Sequence, residues 1–303
     1  MVVQDKRSGG AVAAAACGVS LAVGLAVGAL ATGCSPSGAV AEDQRAARQA
    51  SVDRAPAPSA VPGSSAVRDV RGSADALVRA GSSRVRTAME TASGGTRVAI
   101  RGAGAYDYRT TTGRLGVVLP DPAGAGSGGH RPITEILTPG ALYMKNRGAG
   151  VPPDKWVRVD TGTLADGNLV TGGATDPLAA AELLRGAREV TYEGRERLDG
   201  VPVRHYRGST DIGAAARAAS PGTRSALAAA EKGFTTDVVP FDAYLDDAGR
   251  LRKVRQRFRF ANGSSQGTLV TSTTTLYDFG TPVAVGLPDD RDIYTGKIAS
   301  GGG

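Results

Sequence analysis

Few residues of this chain are of a type and spacing that could form a catalytic site, and their surroundings argue against one. Gly263-Ser264-Ser265-Gln266-Gly267 matches the G-x-S-x-G motif of serine hydrolases, which requires a strand that leads into a helix. Here the motif lies between two strand-like runs, where a hairpin turn is expected. Of the two histidines, His130 lies in a glycine-rich loop and His205 in an alternating strand, so the sequence pairs neither with Ser265. We therefore predict that the protein is not an enzyme.

A second glycine-rich motif indicates no cofactor. Gly124-Ala125-Gly126-Ser127-Gly128-Gly129 matches the G-x-G-x-x-G pattern of dinucleotide-binding loops, but His130-Arg131-Pro132 follows in place of the helix that such a loop requires. Two histidines and scattered acidic residues give no recognisable set of metal ligands. We expect neither a cofactor nor a metal.

The most specific chemical signal is a cysteine at the end of an apolar N-terminal segment. Lys6 and Arg7 form a short positive region, and residues 11–30 are almost uncharged Ala, Val, Leu and Gly, which is the layout of a secretory signal. Leu30-Ala31-Thr32-Gly33-Cys34 resembles the bacterial lipobox, with its leucine one place earlier than usual. The cysteine of a lipobox is diacylated and becomes the new N-terminus after cleavage. Cys34 is therefore the predicted lipidation site.

Processing at Cys34 would leave the mature chain without a second cysteine, because Cys17 lies in the segment that is removed. No disulfide or cysteine metal site could then form. Two acyl chains hold a protein firmly at a membrane surface, so we predict a protein anchored by lipid to the outer face of the cell membrane. The alternative is that residues 11–30 remain as a transmembrane anchor, since about 20 apolar residues span a bilayer. The bulk of the protein faces outside in both cases.

Composition divides the chain into three parts. Residues 1–33 are the predicted signal peptide, residues 34–72 hold the lipidated cysteine and a flexible tether, and residues 73–303 form the folded domain. The tether is rich in Ala, Ser, Pro and charge and has almost no large apolar groups. Such a segment cannot bury enough surface to offset its ordering entropy. The remainder is long enough for one sizeable core.

Hydrophobic periodicity predicts the elements of the folded domain. A helix is predicted over Ser73–Ala92, where apolar residues recur at helical spacing. From Gly95 onward the apolar residues alternate, which predicts a strand. Further strand-like runs are 114–119, 141–147, 156–160, 189–196, 201–209, 236–246, 250–261 and 267–279.

The connections between these runs indicate the fold class. Arg197-Leu198-Asp199-Gly200 and Asp246-Asp247-Ala248-Gly249 each join two alternating runs with the residues that tight hairpin turns favour. Asp176-Pro177 opens a helix that closes at Gly186, and residues 211–233 are an Ala-rich helical stretch broken at Ser220-Pro221-Gly222. This order predicts an α+β domain with one large antiparallel sheet and helices on one face.

Three segments carry a resemblance to a known family. They are 190–206 (VTYEGRERLDGVPVRHY), 239–253 (VPFDAYLDDAGRLRK) and Tyr277-Asp278-Phe279-Gly280. They resemble actinobacterial lipoproteins of the LppX/LprAFG type, which are similar in fold to the LolA and LolB lipoprotein carriers. The resemblance covers about residues 73–298. It implies a curved, half-open antiparallel barrel whose concave apolar face is partly covered by helices and accommodates the acyl chains of lipids or glycolipids.

The apolar faces of the strands supply the candidate ligand-binding residues. In one late strand, alternation places Val239, Phe241 and Leu245 on the same face. The full set of candidates is Val98, Ile100, Leu115, Val117, Met144, Val239, Phe241, Leu245, Val254, Phe258 and Phe260. Any sheet that packs on helices needs an apolar face, so the same residues could instead form a solid core.

The opposite face of one late strand is basic. The cations are Arg250, Arg252, Lys253, Arg255, Arg257 and Arg259. The odd-numbered members project away from Val254 and Phe258. Nucleic acid is not an expected partner of an exported protein, whereas anionic lipid headgroups attract such cations by about 1 kcal/mol each. The alternative is a solvated strand face that discourages edge pairing.

The sequence thus predicts a non-enzymatic lipoprotein that is anchored through acylated Cys34 and binds or carries a lipid or glycolipid. The alternative is an envelope interaction or scaffold module with a packed core and a protein partner. The two hypotheses differ in whether a hydrophobic ligand is found with the purified protein.

Overall fold

The computed structural model describes residues 64–93, 96–120, 131–148, 150–170, 174–260 and 268–296. All of them lie in one compact unit, Ala55–Gly303. The helices described there are α1 (Ser64–Arg71), α2 (Ser73–Ala80), α3 (Pro177–Leu183), α4 (Ile212–Ala218) and α5 (Pro221–Gly233). None of these helices is long and apolar enough to cross a membrane.

Eleven strands form a single antiparallel sheet. They are β1 (Ser82–Ser93), β2 (Thr96–Asp107), β3 (Thr112–Val118), β4 (Ile133–Thr138), β5 (Ala141–Lys145), β6 (Trp156–Asp160), β7 (Ala187–Leu198), β8 (Val201–Asp211), β9 (Val238–Leu245), β10 (Leu251–Phe260) and β11 (Thr268–Tyr277). Their order is β6-β5-β4-β3-β2-β1-β11-β10-β9-β8-β7. Since β6 and β7 lie at opposite edges, the sheet is open. The predicted α+β class, with a curved antiparallel sheet and covering helices, is confirmed.

The predicted hairpins have the expected turn chemistry. Asp199 and Gly200 adopt φ angles of 48° and 82° between β7 and β8, and positive φ at both central residues matches the twist of the flanking strands. Between β9 and β10, the Asp246 carboxylate accepts hydrogen bonds from the backbone N–H groups of Ala248 and Arg250 at 3.1 and 3.0 Å. Local Asp and Gly chemistry therefore fixed both connections.

The helix predicted over Ser73–Ala92 is wrong in its second half. It ends at Ala80, because Gly81 adopts a φ of 86° and its N–H bonds back to the carbonyl of Leu77. The chain then enters β1, in which Val85 and Met89 are buried and the residues between them alternate with exposure. Gly81 thus ends the helix and separates it from a strand. The apolar residues of these two short elements, taken together, have the spacing of one long helix.

The tether predicted for residues 34–72 is too long at its C-terminal end. Helix α1 occupies Ser64–Arg71, with Ala66 and Val70 buried against the domain. Arg71 Nε donates a hydrogen bond to the carbonyl of Ala187 at 2.9 Å, which ties the helix to the start of β7. The folded domain therefore includes Ser64–Arg71.

Strand β4 was not predicted from the sequence. Glu135 is buried on one side of the strand and Ile136 on the other, so the apolar residues of Ile133–Thr138 do not alternate. It pairs with β3 and β5. This omission matters for the candidate site, which is built around the strand.

Helix α3 begins as predicted and covers the sheet. The Asp176 side chain accepts hydrogen bonds from the backbone N–H groups of Leu178 and Ala179 at 2.8 and 3.1 Å, and Pro177 occupies the first turn. Every residue of α3 is buried. We call the side of the sheet that packs against α3 and the other helices the inner face, and the opposite side the outer face.

Removing the α3 cap should destabilise the domain. In Asp176→Ala, two backbone N–H groups and the Tyr106 hydroxyl, which donates to Asp176 at 3.1 Å, lose their acceptor. We expect the free energy of unfolding to fall by about 1–2 kcal/mol, measured by urea unfolding. Asp289→Ala removes a cap from an exposed 3₁₀ turn and is the control. Equal losses in the two variants would contradict a special role for the Asp176 cap.

Candidate functional site

The strand registers define rows of side chains across the inner face. One row consists of Val157, Met144, Glu135, Leu115, Val85 and Leu276, which are carried by six different strands. The next row consists of Ile133, Val117, Thr87, Thr274 and Val254. Antiparallel partners point to the same side of a sheet. Each row therefore forms a continuous strip beneath the helices.

The predicted ligand-binding residues all belong to this inner face by register. Leu115, Val117, Met144, Val239, Phe241, Leu245, Val254 and Phe258 are buried there. Ile100 is half-buried, while Val98 is 39% exposed. The side chain of Phe260 is outside the part of the chain that the structure describes. Alternation thus found the correct face, but most of these side chains pack in the two hydrophobic clusters beneath the helices.

An open pocket of about 540 Å³ lies at one end of the inner face. It is lined by Leu119, Arg131, Ile133, Asn146, Arg147, Gly148, Val151 and Pro153. Its volume falls within the range of about 300–1,000 Å³ that is usual for small-molecule sites. Ile133 belongs to the main hydrophobic cluster, and Leu119 and Val151 pack against it, so one wall of the pocket is the edge of that cluster.

The lining of this pocket combines apolar walls with a basic rim. Leu119, Ile133 and Val151 supply apolar surface, and Arg131 and Arg147 supply positive charge. This composition suits an amphiphile with an apolar chain and an anionic or polar head. None of the lining residues was among the ligand-binding candidates predicted from the sequence. They were missed because β4 was not predicted and because the pocket forms where β3, β4 and β5 meet the loops.

Glu135 is the one acidic residue in its row of the inner face. It follows Ile133 by two residues on the same side of β4, which places it about 7 Å deeper than the pocket wall. Its side chain is fully buried, and among the described residues neither carboxyl oxygen has a hydrogen-bond partner. Burial raises the pKa of Glu135 to about 8, so the group is mainly a neutral acid at pH 7.

The predicted basic stripe is divided by the structure. Lys253, Arg255, Arg257 and Arg259 lie on the outer face of β10, opposite Val254 and Phe258. Arg250 precedes the strand, and Arg252 lies where the pairing of β10 with β9 shifts register between Leu251 and Lys253. Their guanidinium groups instead lie 4.6 and 5.1 Å from the ring centre of Phe279. These two arginines therefore lie apart from the four cations on the outer face of β10, and their role at a membrane stays a prediction.

Cations of neighbouring strands extend the stripe into a wider surface. Thr275 is registered with both Lys253 and Arg86, and Ala88 is registered with Arg101. We call the following residues the outer basic face: Arg84, Arg86, Arg101, Arg114, Lys253, Arg255, Arg257 and Arg259. The sequence missed the β1 members because it assigned that segment to a helix.

Few acidic groups neutralise the outer basic face. Arg257 pairs with Asp242 at 3.0 Å, and Arg84 lies 4.0 Å from Asp278. Among the described residues, the other six cations of this face have no acidic partner within salt-bridge distance. Between Arg86 and Arg101 the surface forms a shallow depression of about 300 Å³ whose floor includes Ala88, Ala103, Gly116, Thr273 and Thr275.

His205 lies in a polar cluster on the same side of the sheet. Its Nδ1 atom lies 2.8 Å from Glu196 Oε1 and its Nε2 atom 3.3 Å from Asp242 Oδ1, while its ring stacks on Tyr244 at 4.3 Å. Burial alone would raise the pKa of Asp242, but hydrogen bonds from Arg207 and His205 outweigh it and lower the pKa. Both ring nitrogens thus have carboxylate partners, which gives His205 a structural place between β7, β8 and β9.

Several sequence predictions fall outside the described residues. They concern the signal peptide, Cys34, most of the tether, the loop with Gly124–Gly129 and His130, and the turn with Ser264 and Ser265. These remain predictions. Phe260 is described only by its backbone position in β10.

The fold and the site define an open antiparallel sheet with a helix-covered inner face and a pocket at its end. No protein-family model and no curated protein sequence matches the chain. Among solved structures, the Mycobacterium tuberculosis lipoprotein LppX is similar over 73% of this chain and 98% of its own, at 12% identity and a TM-score of 0.42.

LprF from Mycobacterium bovis is similar over 74% of this chain and 97% of its own, at 14% identity and a TM-score of 0.39. MucB is similar over 78% of this chain and 66% of its own, at 12% identity and a TM-score of 0.35. The predicted resemblance to the LppX/LprAFG type is confirmed in that LppX and LprF are among these structures. Identities this low describe a likeness of fold alone.

Proposed function

We propose that this protein is a non-enzymatic lipoprotein of the cell envelope that binds the acyl chains of a lipid or glycolipid on the inner face of its sheet. The supporting observation is the pocket of about 540 Å³, which has apolar walls, a basic rim and direct contact with the main hydrophobic cluster. Chains enter at Ile133 and displace the contacts between the sheet and its helices. Acylated Cys34 holds the protein at the outer face of the cell membrane.

The outer basic face supplies a second contact with the membrane. Six of its cations lack an acidic partner among the described residues, so their charge is available to anionic headgroups. This contact is separate from the pocket, because it lies on the opposite side of the sheet.

The second candidate function is an envelope interaction or scaffold module. The observation that favours it is the burial of eight predicted ligand-binding residues in a packed core. In that case the purified protein carries no hydrophobic ligand and retains a specific protein partner. The two functions therefore make opposite predictions for the same preparation.

Blocking the pocket should reduce lipid binding. We would purify the full chain with Cys34→Ser, which prevents acylation, and measure bound lipid by native mass spectrometry and solvent extraction. Ile133→Trp fills the pocket, and overpacking of about 1–3 kcal/mol corresponds to a loss of affinity of roughly tenfold to a hundredfold. Val118→Trp places the same side chain on the outer face, where Val118 is 52% exposed, and should bind as the parent does.

The controls separate the two candidate functions. Thermal unfolding checks that Ile133→Trp remains folded, and Val151→Trp provides a second block from a loop residue of the same pocket. Equal lipid occupancy in both blocked variants and the parent would contradict entry through this pocket. A parent protein free of lipid even after incubation with envelope lipids, but bound to a protein partner, would support the interaction module.

A further inference from the structure

Polar side chains on the inner face are of two kinds. Where α3 covers the sheet, Gln256 Nε2 donates a hydrogen bond to the carbonyl of Ala180 at 3.0 Å, and the Ser272 and Thr175 hydroxyls are bonded at 2.7 Å. These groups are buried and satisfied. The helix and the loop before it therefore supply partners for the polar groups directly beneath them.

Three other polar groups of the inner face have no partner among the described residues. They are the carboxyl group of Glu135 and the hydroxyl groups of Thr87 and Thr274. In the same described part of the chain, two further buried atoms without a partner lie elsewhere, Asn168 Oδ1 in a loop and Arg252 Nε at the irregular start of β10. All three side chains are buried. A buried polar group without a hydrogen bond costs about 1–3 kcal/mol, and native proteins hold few such groups. Their occurrence on one face calls for a partner that is bound there.

The three groups lie along a path that begins at the pocket. Ile133, in the pocket wall, is in the same row as Thr87 and Thr274, which are registered directly opposite each other. Glu135 lies in the adjacent row on β4. From β4 to β11 the path crosses four strand spacings, or about 19 Å. An extended acyl chain with a polar linkage matches a path of this length and character.

The chemistry of the three groups selects their partner. Hydroxyl groups donate hydrogen bonds, and a neutral carboxyl group also donates one. Surrounded by Leu115, Met144 and Val117, such donors favour an uncharged acceptor, because an ion would lose its hydration in this apolar strip. The ester carbonyl is the uncharged acceptor that accompanies acyl chains.

We infer that Glu135, Thr87 and Thr274 form a hydrogen-bonding subsite for the ester carbonyl groups of the bound lipid, so that the protein prefers acyl esters to bare hydrocarbon chains. The inference rests on the proposed function and deepens it. The cost of leaving the three groups unpaired in the empty protein is recovered when an ester enters.

Two probes of equal chain length test this preference. Methyl laurate carries an ester carbonyl, and tridecane has the same number of carbon atoms without one. Each would displace the fluorescent probe N-phenyl-1-naphthylamine from the full chain with Cys34→Ser. One hydrogen bond of about 1.4 kcal/mol corresponds to a tenfold preference, so we expect methyl laurate to bind roughly tenfold more tightly than tridecane.

Matched variants assign the preference to the three groups. Glu135 lies three strand spacings, or about 14 Å, from Thr87, so the single carbonyl of methyl laurate reaches only one end of the subsite. Either Glu135→Leu or the pair Thr87→Val and Thr274→Val, depending on which end holds the carbonyl, should reduce the preference for the ester while tridecane affinity is kept. Glu135→Gln retains a donor and should preserve much of the preference. Thr271→Val makes the same change on the outer face of β11 and should have no effect.

The remaining outcomes separate the ester subsite from the proposed function. An unchanged ester preference in Glu135→Leu and both inner threonine variants, with tridecane still bound, would overturn the subsite but leave the proposed function intact. Equal losses for both probes would show that the side chains act through packing, which also overturns the subsite. Failure of both probes to bind the parent protein would overturn the subsite and the proposed function together.

Discussion

Replacing Glu135 with leucine should raise the free energy of unfolding at pH 7 by about 3 kcal/mol and remove most of its decline between pH 4.5 and 8. Burial raises the pKa of this carboxyl group from 4.5 to about 8, and one pKa unit corresponds to about 1.4 kcal/mol. The side chain is fully buried in an apolar row, so solvent does not screen this effect. Leucine fills a similar volume and needs no hydrogen bond.

The sign follows from the proton bound in each state. Below pH 4.5 the group is protonated in both the folded and the unfolded chain. Between pH 4.5 and 8 the unfolded chain loses the proton while the folded chain keeps it, so each rise in pH favours unfolding. Above about pH 8 both states are ionised, and this group adds no further pH dependence.

Urea unfolding of the full chain with Cys34→Ser at pH 4, 6 and 8 measures this effect. The gap between Glu135→Leu and the parent should widen from pH 4 to pH 8. Glu90→Leu, at an exposed position on the outer face, controls for the loss of one acidic residue. If the Glu135→Leu curve runs parallel to that of the parent across this range, the carboxyl group is not buried as a neutral acid.

Much of the fold could be predicted because its strands obey local rules. Alternation in β8 to β11 and the Asp and Gly residues of two turns can be recognised from neighbouring residues alone. These local patterns predicted the antiparallel pairing that the structure shows. Asp176 and Pro177 likewise marked the start of α3. The inner face was identified correctly for the same reason, since a strand of known register has only two sides.

The errors arose where local patterns fit two structures. Val85 and Met89 lie four residues apart, which satisfies both a helical repeat and strand alternation, and Gly81 alone decides between them. Strand β4 shows no alternation of apolar residues, because Glu135 is buried on its inner side and Ile136 on its outer side. Such burial depends on the tertiary packing of segments that are distant in the sequence, and it cannot be inferred from the local sequence pattern.

The candidate site was predictable only in part. Alternation selects residues such as Phe241 and Val254 for the inner face, but it does not reveal whether helices fill the space above them. The pocket depends on where the strand ends near Leu119, Ile133 and Asn146 come together. Glu135 could have been noticed in the sequence. Residues 133–137 read Ile-Thr-Glu-Ile-Leu, and Glu135 is the one charged residue in this short run.

Neutralising the outer basic face should greatly weaken binding to anionic membranes. Lys253, Arg255 and Arg259 project from the outer face of β10 and have no acidic partner among the described residues. Each contributes about 1 kcal/mol near an anionic surface, so the triple substitution to glutamine should cost about 3 kcal/mol. That cost corresponds to roughly a hundredfold loss of affinity.

Co-sedimentation with vesicles measures this loss without the lipid anchor. The full chain with Cys34→Ser would be mixed with vesicles of phosphatidylcholine alone or with phosphatidylglycerol, at low and high salt. Binding should require the anionic lipid and weaken with salt, because screening shortens the reach of exposed charges. The outer-face triple variant should bind weakly under every condition.

A control variant distinguishes a specific face from net charge. Arg68, Arg79 and Arg217 are exposed on α1, α2 and α4, away from the outer face, and their substitution by glutamine lowers the net charge by the same amount. If the chain binds through its outer basic face, this control retains most of its affinity, because its charges lie on the helices of the opposite side of the sheet and salt screens them from the lipid. Equal losses in the two triple variants would show that net charge alone drives binding and that the sheet has no preferred side toward the membrane.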